Sequence, residues 1–462
     1  MFEATVYSNR RKVLSEKIRN GIILLLGNDE VGANYPNNTY KFRQDSSFLY
    51  FFGLNMPGLA ALIDTDTNDV QLFGNDVELE DIIWMGPQPS IKELAAQVGV
   101  SKSQPFNKLA DTLQQAIAEG RKVHFLPPYR YRNKQLIEDM LGIHHSQLKN
   151  YASVDLIKAV VALRSVKDEL EIKEITHACG IGYEMHVAAM KHCHSGVKEQ
   201  EIAGILEGIA ASFGSMVSFP VILSQNGETL HNHDHSQFLT KGRLMLTDAG
   251  AENNMNYCSD FTRTVPVDGK FDNRQKDIYN IVLAANQKTI EASRPGVNYT
   301  QVHLDACKVL AQGLKEIGLM KGDIDKAVES GAHALFMPHG IGHMMGLDVH
   351  DMEDLGQKLV GYDKTVQPST IFGIASLRMG RELQPGFVVT DEPGCYFIPE
   401  LIDQWKQKGL FTEYLNYDKI ETYKNFGGIR IEDDILITEN GCKLLGDKRI
   451  PVTIEEIEAT IG

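Results

Sequence analysis

The chain has 462 residues, too many for one ordinary hydrophobic core, so two or three domains are expected. Hydrophobic residues make up 43% and charged residues 23%, an ordinary balance for a soluble globular enzyme. The 46 lysines and arginines against 61 acidic residues leave a net charge of −15 with no long run of one sign, which argues against nucleic-acid binding.

The N-terminal stretch Met-Phe-Glu-Ala-Thr-Val-Tyr is polar and shows no signal peptide, and no run approaches the length of a membrane span. Six cysteines (Cys179, Cys193, Cys258, Cys307, Cys395, Cys442) are scattered without a CxxC pair. They read as reduced thiols, and a cytoplasmic enzyme that touches no membrane is the expectation.

In chain order, residues 7–20 predict a short amphipathic helix with Val13 and Ile18 inside and its Arg and Lys residues outside. Strands are expected at Gly21–Gly27, Phe48–Leu54, Leu59–Asp64 and Val70–Phe73, the last two joined by a turn at Asp66-Thr-Asn-Asp69. Helices over Ile91–Val98 and Lys108–Glu119, a strand at Val123–Leu126 and a helix over Ala152–Leu163 complete a mixed α/β domain, residues 1–162.

The second domain, residues 163–462, opens with helices over Asp168–Lys191 and Lys198–Phe213. Strands follow at Phe219–Leu223, Arg243–Glu252 and Asn256–Pro266, with a turn at Asn253-Asn254. A second helix pair, Gln275–Ser293 and Tyr299–Ile317, precedes a strand-rich last third from Phe387 to Leu445. Helix pair, strands, helix pair, strands hints at two related halves.

One stretch concentrates the chemistry. Phe336–Asp351 packs three histidines (His339, His343, His350), three glycines and two aspartates into sixteen residues. Glycines this frequent mean backbone run close to something or bent tightly. Neutral imidazole is a common ligand for a borderline divalent metal.

Acids elsewhere stand in apolar strands. Asp248 follows Leu244-Met-Leu-Thr, and Asp260 lies twelve residues on in Ser-Asp-Phe-Thr-Arg. A carboxylate placed so is costly unless paired or ligating. Glu392 ends a strand before Pro393-Gly394, and Glu432 lies in Gly-Gly-Ile-Arg-Ile-Glu-Asp-Asp. Each could be an ordinary solvated acid. Two Asp, two Glu and one His from separate stretches make an oxygen-rich donor set that suits two Mn²⁺, Co²⁺, Fe²⁺ or Zn²⁺ ions better than one structural zinc.

These stretches, in this order, resemble the proline-specific peptidases of the pita-bread metallopeptidase group, aminopeptidase P and prolidase, over essentially the whole chain. The resemblance implies an α/β (α+β) architecture. An aminopeptidase-P-like N-terminal domain, matched by Phe42-Arg-Gln-Asp-Ser-Ser, precedes a pita-bread (creatinase/aminopeptidase-like) catalytic domain. It implies Asp248, Asp260, His343, Glu392 and Glu432 as ligands of two divalent ions, most readily manganese. It further implies Glu392 as proton carrier, His231 and His350 as catalytic and substrate-contacting histidines, His339 as a supporting one and Arg430 behind the site. A homodimer or higher homo-oligomer is also implied.

Two departures stand out. The Asp248–Asp260 interval is one residue longer than the family's, which a bulge or longer turn near Glu252–Met255 would absorb. Asp391 replaces an apolar residue beside Glu392, either pointing away or serving as a spare ligand.

Two activities fit. Arg378, in Ser-Leu-Arg-Met-Gly-Arg, resembles the prolidase arginine that clamps a free proline carboxylate, and the Pro399–Asn425 insert and the chain's end are also prolidase-like. Phe-Arg-Gln-Asp-Ser-Ser is more typical of aminopeptidase P. Xaa-Pro aminopeptidase is placed first because it requires no carboxylate clamp; Xaa-Pro dipeptidase is the alternative. A pita-bread binding module that has lost its ligands is disfavoured, since all five ligand types are present.

Overall fold

The computed structural model describes all of residues 1–462, which form two compact units. One comprises Met1–Arg164 with the short segment Asp354–Leu359, the other Ser165–Glu353 with Val360–Gly462.

The first unit is built on Ile22–Leu26, an unbroken Ile and Leu run whose first four residues are buried, which only a strand covered on both faces can hide. It pairs antiparallel with Ala60–Asp64 and parallel with Val123–Phe125 in a mixed five-stranded sheet. Val70–Phe73 and Lys102–Gln104 extend the sheet on the Ala60–Asp64 side.

Two expectations fail in this unit. Phe48–Leu54 is not a strand: Ser46–Phe52 is a helix, its first turn capped by Asp45 (Phe48 N–H donates to Oδ1, 2.9 Å) and its end by left-handed Gly53. All seven helical residues are buried, so neither period is visible in the sequence. The first helix, Ala4–Lys17, turns Arg10 and Arg11 inward and leaves Val13 exposed. Arg11 donates to the carbonyls of Phe51 (2.7 Å) and Val98 (2.6 Å), while Arg10 lies over the Tyr50 ring, 4.0 Å from its centroid. Helices Leu79–Met85 and Tyr131–Leu141 are additional to those expected.

In the second unit two helix pairs alternate with two three-stranded antiparallel sheets. Glu169–Lys191, boxed at its start by Asp168 and Glu171, packs on Glu199–Ser212. Asn273–Ala292 packs on Tyr299–Glu316. The first sheet has Leu244–Ala249 at its centre, between Ile222–Ser224 and Phe261–Pro266. The second runs Val388–Asp391, Asp433–Ile437, Cys442–Leu444. A separate ribbon pairs Gly394–Tyr396 with Gly428–Arg430.

The sheets are knitted together where the chemistry lies. Glu432 N–H donates to Thr262 O (3.0 Å), and Thr264 Oγ1 bonds both the Arg430 carbonyl and the Arg430 N–H. Buried Arg263, one residue on from Thr262 and on the opposite face, donates to Asp433 Oδ1 (2.6 Å) and to the carbonyls of Glu432, Ile450 and Pro451. The insert 399–425 is largely helical, from Pro399–Lys408 to Tyr417–Ile420.

Candidate metal centre

The hairpin carrying the two aspartates has one register throughout. Pairing runs from Leu244 opposite Pro266 to Ala249 opposite Phe261, and Glu252 still bridges Cys258 in the same register. There is no bulge. The extra residue is taken up in the turn, where Asn253 N–H bonds Tyr257 O and Asn256 adopts a left-handed φ of 64°. Continuing that register sets Gly250 opposite Asp260, so Asp248 and Asp260 are diagonal neighbours on one face. A Cβ on Gly250 would overlap the Ser259 carbonyl oxygen.

The histidine-rich loop is fixed by strand-like bonds to the second sheet. Thr390 N–H donates to His343 O (3.0 Å), His343 N–H to Thr390 Oγ1 (3.1 Å), and Glu392 N–H to Ile341 O (2.8 Å). Gly342 is the close approach: a Cβ there would run into Thr390 O. His343 Nδ1–H donates to Met344 O (3.0 Å), which turns the Nε2 lone pair toward Asp260 Oδ2 (3.4 Å) and Glu392 Oε1 (3.7 Å). Asp260, His343 and Glu432 each offer a ligand atom, all within 4.8 Å of one another.

The electrostatics are those of acids held without enough cation. Burial first, and then Glu432 and Asp248, push the Asp260 carboxyl well above its usual range. Burial, then Glu392, does the same to Glu432. Burial lifts Glu392 to about 7, and burial holds His343 well below the ordinary imidazole value, hence neutral. Buried Asp248 Oδ1 and Asp260 Oδ1 have no hydrogen-bond partner. Arg430, which donates to Asp248 Oδ2 (2.6 Å), supplies one positive charge against four carboxylates. Orphaned oxygens, mutually repelling carboxylates and a neutral imidazole lone pair on one cavity fit divalent cations held by Asp248, Asp260, His343, Glu392 and Glu432.

Around this cluster runs a directed chain of hydrogen bonds. Arg430 Nη1 donates to Tyr396 Oη (2.9 Å). Tyr396 O–H donates to His339 Nε2 (2.9 Å), and His339 Nδ1–H donates to Gly340 O (2.8 Å). Burial, then Arg430, lowers His339 to about 3. His350 packs on His343, ring centroids 4.0 Å apart. His231, pushed below its ordinary pKa by burial and then Arg430, lines the same cavity.

That cavity holds about 280 Å³. Its lining includes all ten residues singled out above: Asp248, Asp260, His343, Glu392, Glu432, His231, His339, His350, Arg378 and Arg430. Phe219, Pro220, Ile222 and Leu230 form an apolar wall. Asp391 faces away, accepting from Asn286 Nδ2 (3.0 Å) on the helix behind the sheet, so it is no spare ligand.

Two residues escaped the sequence. Tyr396 links His339 to Arg430 but sits 57 residues from the first and 34 from the second, with no motif of its own. Glu353 accepts from His350 Nδ1 and from Arg378 Nε (3.3 Å). Its carboxyl is lowered to about 2, chiefly by the His350 hydrogen bond. The only sequence signal was a three-residue spacing from His350.

Comparison with known proteins gives the family. Residues 173–439 match metallopeptidase family M24, and residues 7–124 match the aminopeptidase P N-terminal domain. The Xaa-Pro dipeptidase of Homo sapiens is 31% identical, covering 99% of this chain and 93% of its own length. A probable Xaa-Pro aminopeptidase of Aspergillus clavatus is 33% identical, covering 96% and 93%. Among solved structures, Pseudomonas aeruginosa aminopeptidase PepP superposes with a TM-score of 0.81 at 27% identity, covering 100% of this chain and 98% of that one. A variant of Escherichia coli aminopeptidase P in complex with substrate gives 0.80 at 27% identity, with the same coverage. The chain belongs to metallopeptidase family M24: a metal-dependent peptidase with an aminopeptidase P type N-terminal domain ahead of a pita-bread catalytic domain.

Proposed function

We propose that this protein hydrolyses the peptide bond between a residue and a following proline, releasing the N-terminal residue as an Xaa-Pro aminopeptidase. The observation that carries the reading is the gathering of four carboxylates, three of them buried, and one neutral imidazole on a single 280 Å³ cavity with an apolar wall. In this reading Asp248, Asp260, His343, Glu392 and Glu432 hold two divalent ions, manganese first and Co²⁺, Fe²⁺ or Zn²⁺ otherwise. Such ions supply Lewis acidity, activating a water and polarising the scissile carbonyl.

The chain's own groups do the rest. Glu392, on the cavity beside the cluster, carries the proton from the attacking water to the leaving nitrogen. His231 and His350 contact the substrate carbonyl as its oxygen gains charge. His339 and Arg430, joined through Tyr396, hold that wall of the cavity in place. Proline offers a tertiary amide with no N–H, so recognition falls to shape, and Phe219, Pro220, Ile222 and Leu230 supply an apolar surface for the ring.

A second reading, Xaa-Pro dipeptidase, is supported by the presence of Arg378 on the cavity wall, since a guanidinium there could pair with a free carboxylate. The relatives themselves carry both names.

Residues 163–462 act as the catalytic domain and 1–162 as a separate domain. The chain works as a homodimer or higher homo-oligomer. Supporting this, the Leu79–Met85 helix leaves Leu79, Ile83, Trp84 and Met85 between 70% and 78% exposed, an apolar patch suited to a second copy. A cytoplasmic setting is supported by six cysteines that form no disulfide.

The test is to change Asp260 or Glu432 to Ala and count metal. Each variant is expected to lose at least one ion per chain and to drop by orders of magnitude in cleavage of Xaa-Pro-Yaa peptides. Full activity with unaltered metal content in both would overturn the assignment.

A further inference from the structure

The segment after the histidine-rich loop is held more firmly than a surface turn requires. Asp351 is buried and paired with equally buried Lys167 at 2.8 Å, and its N–H donates to Met344 O (2.8 Å). Asp348 N–H donates to Asp351 Oδ1 (3.3 Å). Within this frame buried Met352 adopts φ of 63°, a left-handed conformation disfavoured for any residue with a Cβ. Such strain persists only where surrounding contacts over-determine it, and it concentrates at working sites.

What the strained turn achieves is the placement of Glu353. The Glu353 N–H donates back to His350 O (3.2 Å), and the carboxylate divides between two cavity residues. One oxygen accepts from His350 Nδ1, the other from Arg378 Nε (3.3 Å). Glu353 is not itself among the cavity's lining residues. It stands behind the two that are.

We propose that Glu353 is a specificity-determining positioning residue: by engaging Arg378 from behind, it weakens the grip on a free proline carboxylate and favours substrates whose proline is followed by another residue. This rests on the Xaa-Pro reading above and chooses within it.

The physical reason is a shared cation. A guanidinium offers a fixed fork of donors, and a bidentate carboxylate pair is strong because both partners carry full charge. Here the Nε edge is already used by a carboxylate. A second carboxylate, arriving from the cavity, must share one positive charge with a like-charged neighbour. A neutral amide carbonyl at the same place makes its hydrogen bond and meets little repulsion. This is discrimination by a built-in repulsive element.

The experiment compares an Xaa-Pro dipeptide with the matching Xaa-Pro-Yaa tripeptide on the manganese-loaded full chain. Glu353→Gln keeps the shape and removes the charge. The ratio of kcat/KM, dipeptide over tripeptide, is expected to rise about three- to fivefold, as suits a half-exposed pair. The change should lie in the dipeptide KM and shrink at high salt. Adding Arg378→Ala to Glu353→Gln should abolish the rise. Where the dipeptide is bound but not cleaved, its inhibition constant against the tripeptide replaces KM.

Misalignment of His350 alone lowers kcat for both substrates together and leaves the ratio where it was. An unchanged or falling ratio therefore overturns the proposal, as does a wild type that cleaves only the dipeptide. A wild type that cleaves neither substrate overturns the Xaa-Pro reading itself, and this inference with it.

Discussion

Gly250 stands between the two aspartates of the hairpin, and its lack of a side chain is what lets the strands close there. A Cβ would overlap Ser259 O and crowd Ser218 Oγ. Gly250→Ala should therefore push the strands apart beside Asp260, costing about 2 kcal/mol or more as overpacking does and releasing bound metal. Metal content and thermal unfolding check it; an Ala variant that keeps both would mean the hairpin relaxes freely. Arg378→Ala bears on substrate class. The side chain is 39% exposed and shared with Glu353, so its loss should weaken Xaa-Pro by about 1–2 kcal/mol, roughly five- to thirtyfold in KM, and barely touch Xaa-Pro-Yaa. Equal effects on both peptides would make Arg378 purely structural.

The residues the cavity gathers were legible because acids in strands such as Leu-Met-Leu-Thr-Asp are expensive without a reason to be there. Tyr396 and Glu353 were not. Their partners are set by how separate segments meet, and an ordinary tyrosine or an acid near a loop carries no local mark of that. Asp391 lay open between two readings until its neighbour Asn286 became visible.

Among the secondary-structure elements, long amphipathic helices with capping boxes, such as Glu169–Lys191 and Asn273–Ala292, were readable to within a few residues. The buried run Ser46–Phe52 was not, because an element apolar on every side loses the alternation that separates helix from strand. Arg10 and Arg11 misled for a related reason: guanidinium groups that find carbonyl acceptors can sit inside. The hairpin of the first unit offers a test of electrostatics away from any metal. Arg121 donates to both oxygens of Asp64 (2.9 and 3.0 Å), and that hydrogen bonding lowers the carboxyl to about 2. A depressed acid stabilises the fold above its unfolded pKa near 3.8 and loses that stabilisation as pH falls through its folded value. Asp64→Asn should cost about 1 kcal/mol at pH 7, as suits a partly solvated pair, and most of the difference should be gone by pH 2. Chemical denaturation at the two pH values decides it, and a gap that does not change with pH would contradict the ion pair's role.

For the molecule as a whole, the exposed Leu79–Met85 helix bears on assembly. If that apolar surface meets a second copy, sedimentation at micromolar concentration should give a mass at least twice the 51.5 kDa of one chain, and Trp84→Asp should reduce it. A single-chain mass for the wild type would remove the oligomer.

The activity itself is tested by stripping the protein of metal, reloading it with Mn²⁺, and following release of the N-terminal residue from Xaa-Pro-Yaa beside an Xaa-Ala-Yaa control. The expected result is no cleavage by the stripped protein, recovery on reloading with close to two ions per chain, and no cleavage of the alanine peptide. Undiminished cleavage without metal, or equal cleavage of the alanine peptide, would contradict a metal-dependent, proline-directed peptidase.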